Sequence, residues 1–447
     1  MLLVASIVIS GPVSGNDPFY FADISRVRRS LPLTPMSSPP VVAVVGTCDT
    51  KYEALCYIKH AIGTGLSCKA ILIDIGSYVP PDHAHIDITR SQVLSALSGE
   101  DLDFTSRNNA LETMTRAITA TLAHLYAEGT IAGVISAGGS GNTSVCATAF
   151  RDAFPIGFPK LLVSTMASGN ISHYVGETDM TMMYSVVDIA GMNALLQTIL
   201  GNAASAIAGM TLRSQRRQHA SSQQPSIAVT MFGVTTPCVQ VATRQLEELG
   251  YSVVTFHATG SGGLSMERLI REGYFVGVLD LTTTELADEL VGGVLTAGPN
   301  RLEAAVDKSI PQVVSVGALD MVNFGPASTV PAQFAGRRLL RHNTSVTLMR
   351  TSPEECSALG QTIAQKLRKA LPDRTHVLLP LRGFSGIDED GGPFRDAEAD
   401  EALLNALRSA GLECPIEELD TNINDPSFAA AAVSTLHRMI QYVDQSF

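Results

Sequence analysis

Gly138-Gly139-Ser140-Gly141-Asn142-Thr143 follows an apolar stretch of strand length, Ile131 to Ala137, and precedes a segment with helical periodicity. Glycines let a backbone approach a ligand closely, and Ser140 and Thr143 bring hydroxyls. The first turn of a helix adds unpaired N–H groups and a partial positive charge, so the segment can cradle a phosphate. It carries neither the Gly-Lys-Ser/Thr ending of a P-loop nor a GxGxxG fingerprint, and a plain strand-to-helix turn uses the same residues. Gly46-Thr47-Cys48-Asp49-Thr50-Lys51 repeats the arrangement after Val41 to Val45. Here Lys51 can neutralise a phosphate and Asp49 can hold Mg²⁺ through water, while Asp49 or Thr50 can equally cap a helix. A third copy runs from Ile227 to Thr230 into Phe232-Gly233-Val234-Thr235-Thr236-Pro237. Three such edges predict a phosphorylated ligand at the rim of a doubly wound sheet.

Other candidates are less specific. Ser164-Thr165-Met166-Ala167-Ser168-Gly169 also follows an apolar run, but it has no G-x-S-x-G elbow, so ligand lining fits it better than a nucleophile. Arg107 opens a predicted helix, from which it reaches either an anion or solvent. Pro237 suits a first helical position, which puts Cys238 in the first turn, where a helix dipole can lower a thiol pKa; a packed cysteine is the alternative. His257 ends a predicted strand and can serve as acid, base or phosphate donor, or be structural. Thr282 to Glu285 reads as a capping box. Asp280, Asp288 and Asp320 gather near predicted strand ends, where they can bind metal, and His83-Ala84-His85 reads as a surface loop. Arg382 begins a long loop through Phe394, a length usual for functional or mobile segments, and can face an anion. No nucleophile–base–orienter set emerges among these residues.

The elements that would position them alternate strand and helix. Strands are predicted at 41–45, 69–75, 131–137 and 160–165, with helices at 50–64, 106–128, 142–153 and 188–210. After a polar, aperiodic stretch ending in Pro225, strands follow at 226–231, 252–257, 277–280, 312–316, 376–381 and 414–419, with clear helices at 353–371 and 426–443. The expected architecture is α/β: two Rossmann-like, doubly wound αβα domains with mainly parallel sheets. Domains are expected at 41–210 and 226–447, joined by a linker at 211–225, with residues 1–40 a disordered or targeting extension. "GVIS" at Gly133 is echoed by "GVLD" at Gly277, and "FPKLLVST" by "IPQVVSVG", a faint sign of duplication. In a chain of 447 residues, a net charge of −12 argues against sequence-independent nucleic-acid binding. The short apolar start cannot span a bilayer, so no membrane partner is expected. Seven scattered cysteines without a CxxC pair read as reduced thiols, hence a cytoplasmic protein. The apolar run from Met180 to Ile189 is either core or a subunit seam, the latter predicting a homodimer or larger homo-oligomer.

Taken together, "GTCDTK", "AGVISAGGSGNTS", "PKLLVSTMASG", "YSVVDIAGMN", "TMFGVTTPCV", "FHATGSGG", "DLTTTELADELVGGV", "GALDMVNFGP" and "LMRTSPEE" resemble a two-domain ATP-binding family of largely uncharacterised bacterial, fungal and plant proteins, one of which inhibits tomato mosaic virus replication. The resemblance covers about residues 41 to 445. It implies two Rossmann-like domains and ATP with Mg²⁺ bound in the first. By motif, the nucleotide site would draw on Thr47, Asp49, Thr50, Lys51, the loop Gly138, Gly139, Ser140, Gly141, Asn142 and Thr143, the loop with Ser164, Thr165, Ser168 and Gly169, and Arg107. Plant and some fungal relatives carry a further TIM-barrel domain, which suggests a barrel partner protein. The residues from Tyr78 to Asp103 hold no motif that transfers the antiviral property.

The function expected is therefore ATP and Mg²⁺ binding by the first domain, in an unresolved biological role. The alternative is an enzyme acting on a small phosphorylated or carboxylate metabolite, with His257, Arg382 and Cys238 as catalytic candidates. A periplasmic-type sensor fits less well, because no convincing signal segment precedes the first strand.

Overall fold

The computed structural model describes residues 38–77, 84–100, 102–218 and 224–445. Nearly all of the expected N-terminal extension, and His83, lie outside them. The first half runs β1 (Val41–Gly46), α1 (Cys48–Gly63), β2 (Lys69–Asp74), α2 (Arg90–Ser95), α3 (Arg107–Ala127), β3 (Gly133–Gly138), α4 (Ser140–Ala153), β4 (Lys160–Ser164), α5 (Ser172–Val175), β5 (Thr181–Tyr184) and α6 (Ala194–Gln218). The strands form a parallel sheet in the order β2-β1-β3-β4-β5. Side chains of β1 alternate between two cores: Val42 and Val44 pack with α1 and α6, Ala43 and Val45 with α2, α3 and α4. Burial on both faces is why these strands read as continuous apolar runs.

Two expectations change here. The helix predicted to end near Met210 continues to Gln218, taking in residues 211–218 of the predicted linker. Its polar end, Arg213 to Gln218, consists mostly of good helix formers with no Gly or Pro to stop it. The helix is apolar and long enough to cross a membrane by length and composition, yet Leu196, Leu200, Ala203, Ala204 and Ile207 are buried against the sheet. The apolar run from Met180 to Ile189 divides: Met180 and Ile189 are core, whereas Tyr184 and Val186, on and just beyond the edge strand β5, are exposed.

The second half runs β6 (Ser226–Met231), α7 (Thr236–Glu248), β7 (Ser252–His257), α8 (Ser261–Arg271), β8 (Gly277–Thr282), α9 (Glu285–Val291), α10 (Ala304–Lys308), β9 (Gln312–Gly317), β10 (Met321–Phe324), β11 (Leu339–Arg341), β12 (Thr347–Arg350), α11 (Pro353–Leu367), β13 (Thr375–Pro380), α12 (Ala397–Arg408), β14 (Ile416–Leu419) and α13 (Pro426–Gln445). Its parallel sheet has the order β14-β13-β9-β8-β6-β7, and β10, β12 and β11 form a small antiparallel sheet that the sequence does not announce. Those strands are only three or four residues long, too short for a period-two pattern to stand out.

Counted from its own first strand, the second sheet reads 2-1-3-4-5-6, and the first reads 2-1-3-4-5. The echoed segments fall on equivalent strands, "GVIS" and "GVLD" on the third and "FPKLLVST" and "IPQVVSVG" on the fourth. The halves meet where Arg268 of α8 donates to the carbonyls of Arg151 (2.6 Å) and Phe154 (2.9 Å) at the end of α4. Glu272, paired with Arg268, accepts from the Ile156 N–H at 3.0 Å.

Candidate functional site

In the first half the chain passes from β1 out to β2 and back to β3, so the winding reverses between β1 and β3. Open α/β sheets bind ligands at such a point, beyond the carboxyl ends of the strands. A cleft of about 840 Å³ opens there, lined by Thr47, Asp49, Thr50 and Lys51 after β1 and by Gly139, Ser140, Gly141 and Asn142 after β3. Arg107, at the first turn of α3, lines it too. Two of the glycine-containing turns thus converge on one space of the size usual for small-molecule sites.

The N-terminus of α4 is the open end of this cleft. Its N-cap, Gly139, offers no side chain to the first-turn N–H groups. The reason for glycine differs from the one expected. Gly139 is extended (φ −85°, ψ −167°) and Gly141 is helical, so neither needs the left-handed region. A Cβ on Gly139 would find its nearest neighbour 3.9 Å away (Thr165 Oγ1), and one on Gly141 3.7 Å away (Arg107 Nη2). Glycine here keeps the cleft floor clear. Gly138 has a packing reason, since a Cβ there would come within 2.6 Å of the Asn142 side chain.

Several expected ligands instead build the floor from beneath. Asn142 Nδ2 donates to Ser136 Oγ at 2.8 Å, and the hydroxyls of Thr143 and Ser164 share a hydrogen bond of 2.6 Å. Ser164 Oγ also accepts from the Met166 N–H at 3.0 Å. Thr143 and Ser164 are fully buried. Neither they nor Gly138, Thr165, Ser168 and Gly169 line the cleft, so the β4 loop braces the cradle rather than forming it.

On the β1 side the helix end is already engaged. Asp74 Oδ1 accepts from the N–H groups of Cys48 (3.0 Å) and Gly76 (2.8 Å), and Asp49 Oδ2 accepts from the Ser77 N–H at 2.7 Å. The carboxylates therefore occupy the positive end of α1, and among the described residues α4 supplies the free one. Burial, then the Asp74 charge, pushes the Cys48 thiol well above its usual range. Lys51, Arg90 and Arg107 all line the cleft, and among the described residues none of them forms an ion pair. Arg90, on α2, carries no signal in the sequence that would single it out.

The equivalent crevice of the second half, between β6 and β8, is filled from within. Arg301 is fully buried and grips Asp280 through both nitrogens of its fork, with Nη2 to Oδ1 at 2.6 Å, while its Nε donates to Glu285 Oε2 at 2.7 Å. Glu285 Oε1 accepts from the N–H groups of Gly260 (2.7 Å) and Gly263 (3.0 Å) at the start of α8. A resident carboxylate thus sits where a phosphate would bind, and a Cβ on Gly263 would collide with it. This corrects the capping box: Glu285 reaches to α8, not back to Thr282. Thr282 instead pairs with Thr235 at 2.8 Å, and Thr230 with Asp280 at 2.9 Å.

The catalytic candidates do not assemble. His257 ends the edge strand β7, exposed and stacked on Phe232 at 5.5 Å. Arg382 follows β13 on the far side of the sheet, with β9, β8 and β6 between, and forms a two-pronged pair with Asp420 at 2.7 and 2.8 Å. Cys238 is fully buried, and that burial pushes its thiol up to about 12, the opposite of activation. Asp280 is committed to Arg301, Asp288 to Asn323 and Asp320 to Ser385, and no cluster of three or more His, Cys, Asp or Glu suited to a metal occurs among the described residues. The loop from Arg382 to Phe394 is tied down: Asn422 donates to the carbonyls of Arg382, Gly383 and Ser385, and Phe384 and Phe394 are core.

Residues 40–216 match the N-terminal domain of the uncharacterised protein family UPF0261, and residues 224–440 match its C-terminal domain, so the gap falls within the predicted linker. A UPF0261 protein of Clostridium tetani is 47% identical over 405 residues, covering 90% of this chain and 99% of its own. The ToMV resistance protein Tm-1(GCR237) of Solanum lycopersicum is 39% identical over 424 residues, covering 90% of this chain and 56% of its own. Among solved structures, UDP-N-acetylglucosamine 2-epimerase from Rickettsia bellii covers 62% of this chain and 78% of its own, at 9% identity and a TM-score of 0.20. That score carries no argument about function.

Proposed function

This chain belongs to the uncharacterised protein family UPF0261, and from the cleft in its first half we propose that it is a nucleotide-binding protein that takes ATP with Mg²⁺. The observation that carries this reading is that Lys51, Arg90 and Arg107, all without acidic partners among the described residues, line the cleft that also holds the uncapped start of α4. In a chain of net charge −12, three such cations in one cleft with a helix N-terminus call for a polyanion. Mg²⁺ usually keeps several waters and takes one or two carboxylates together with substrate phosphates, and Asp49 at the cleft wall fits that role. The ion would neutralise phosphate charge there.

Chemistry on the bound phosphates is the second reading. Thr47, Thr50 and Ser140 supply hydroxyls and Lys51 a charge around the same space. Self-association is also part of the proposal, with Tyr184 (41% exposed) and Val186 (56%) on the edge-strand side and Leu195 (49%) at the start of α6 as the seam. We place the protein in the cytoplasm, in keeping with seven scattered cysteines that form no CxxC pair.

A thermal-shift and calorimetry screen of nucleotides and phosphorylated metabolites, with and without Mg²⁺, tests the reading. At about 100 times its dissociation constant, a ligand adds about 2.7 kcal/mol of stability. A response to ATP that strengthens with Mg²⁺ is expected. No response to any nucleotide would overturn the proposal, and phosphate release during the assay would favour the second reading.

A further inference from the structure

The lining of the cleft is of mixed chemistry. Beside the cations and the α4 turn it includes the apolar side chains of Ile75, Leu111, Met114, Val145 and Phe104. Phe104 is 41% exposed, and the guanidinium of Arg90 lies 5.0 Å from its ring centroid, within cation–π range. The backbone is fixed on both sides of this ring. Asp103 Oδ1 accepts from the Thr105 N–H (2.8 Å) and hydroxyl (2.6 Å), and its Oδ2 accepts from Asn109 Nδ2 at 2.6 Å. The Asp103 carbonyl accepts from the Thr113 hydroxyl at 3.0 Å. The segment that carries Phe104 is therefore tied to the first turns of α3. Arg90 is half-buried, and its Nε is buried without a hydrogen-bond partner, a donor whose desolvation nothing offsets among the described residues.

We infer that Phe104 is the stacking surface for the base of the bound nucleotide, with Arg90 packed on the ring. The inference rests on the nucleotide reading of the cleft and adds a specificity-determining residue to it. It selects ligands that join a planar ring to a polyphosphate over sugar phosphates or bare phosphates. Because every base has a π-face, the platform is tolerant of base identity, and purines, with more area, bind tighter than pyrimidines.

Calorimetry with ATP and with inorganic tripolyphosphate separates contacts to the ring from contacts to the phosphates. In Phe104→Ala, ATP affinity should fall about tenfold or more while tripolyphosphate affinity stays at the wild-type value; Phe104→Tyr should restore ATP binding. The chain contains no tryptophan, so Phe104→Trp places a single indole in the cleft. Its fluorescence should be quenched by ATP and much less by tripolyphosphate. Equal losses for both ligands in Phe104→Ala, or no loss for ATP, would overturn the platform while leaving the phosphate cradle standing. Wild-type protein that binds neither ligand would overturn the nucleotide reading, and the platform with it.

Discussion

The guanidinium of Arg107 stands 3.7 Å from the point where a Cβ on Gly141 would lie. The first turns of α3 and α4 therefore face each other across the cleft, one presenting a charge and the other bare backbone. An anion between them meets both. Any side chain at residue 141 would take part of that space.

Gly141→Ala and Gly141→Val should separate binding from folding. Gly141 is helical and a Cβ there would find its nearest neighbour, the Arg107 guanidinium, at 3.7 Å, an ordinary contact, so neither change strains the backbone, and Ala gains up to about 1 kcal/mol of helix propensity. The melting temperature should hold or rise while calorimetric ATP affinity falls, further for Val than for Ala. Undiminished ATP affinity in the Val variant would mean the α4 turn is a connection only.

Lys51→Ala and Arg107→Ala remove charges that have no acidic partner among the described residues, so stability should change by less than about 0.5 kcal/mol. ATP affinity should fall roughly tenfold in each, with a smaller effect on AMP and a flatter salt dependence than wild type. Equal effects on AMP and ATP would place these side chains away from the outer phosphates.

Arg301 marks the contrast between the halves. Arg301→Ala strands Asp280 and Glu285 in the interior, a loss expected to cost about 3–5 kcal/mol. Folded protein should bind ATP as wild type does. His257→Ala and Arg382→Ala alter exposed side chains and should leave both the melting temperature and ATP affinity almost unchanged. A large loss of ATP binding in either would reopen a role for the second half.

Most of the fold was legible because buried parallel strands announce themselves: Ser226–Met231 and Ser252–His257 begin and end where the apolar pattern does. The convergence of Thr47, Lys51, Arg107 and Gly139 on one cleft followed from placing each at the carboxyl end of a strand or the start of a helix. What could not be read is which glycine-rich turn stays open. Gly139 and Gly260 look alike in sequence, yet Glu285, from another strand end, closes the second and leaves the first free. Arg301, which anchors that closure, lies in a stretch with no periodicity or motif. Arg90 and Phe104 escaped notice for the same reason: an isolated cation and an isolated ring acquire meaning only when the fold stacks them.

The carboxylates around Arg350 predict how stability follows pH. Asp320, Asp388 and Asp400 are all buried beside that one guanidinium, and Arg395 adds a second charge at Asp400. Burial, reinforced by the charges of Asp320 and Asp400, pushes Asp388 up to about 9. Asp388 is therefore neutral in the folded protein at pH 7. One of its oxygens accepts from the Phe384 N–H at 2.9 Å, which fastens the loop after β13. An unfolded chain releases this proton near pH 4, whereas the folded one keeps it until about pH 9. Between those values the folded state holds more protons, so stability is greatest at the acid end of the window and falls as pH rises through it. Asp320, pushed up to about 6 mainly by burial, acts in the same direction over a narrower range. Asn at 388 is close in shape to the protonated acid and can still accept from Phe384. Asp388→Asn should therefore match wild type near pH 5 and lose less stability between pH 6 and 9. Denaturant titrations at several pH values check this, and a variant whose slope against pH is as steep as wild type would show that Asp388 is not the group holding the proton.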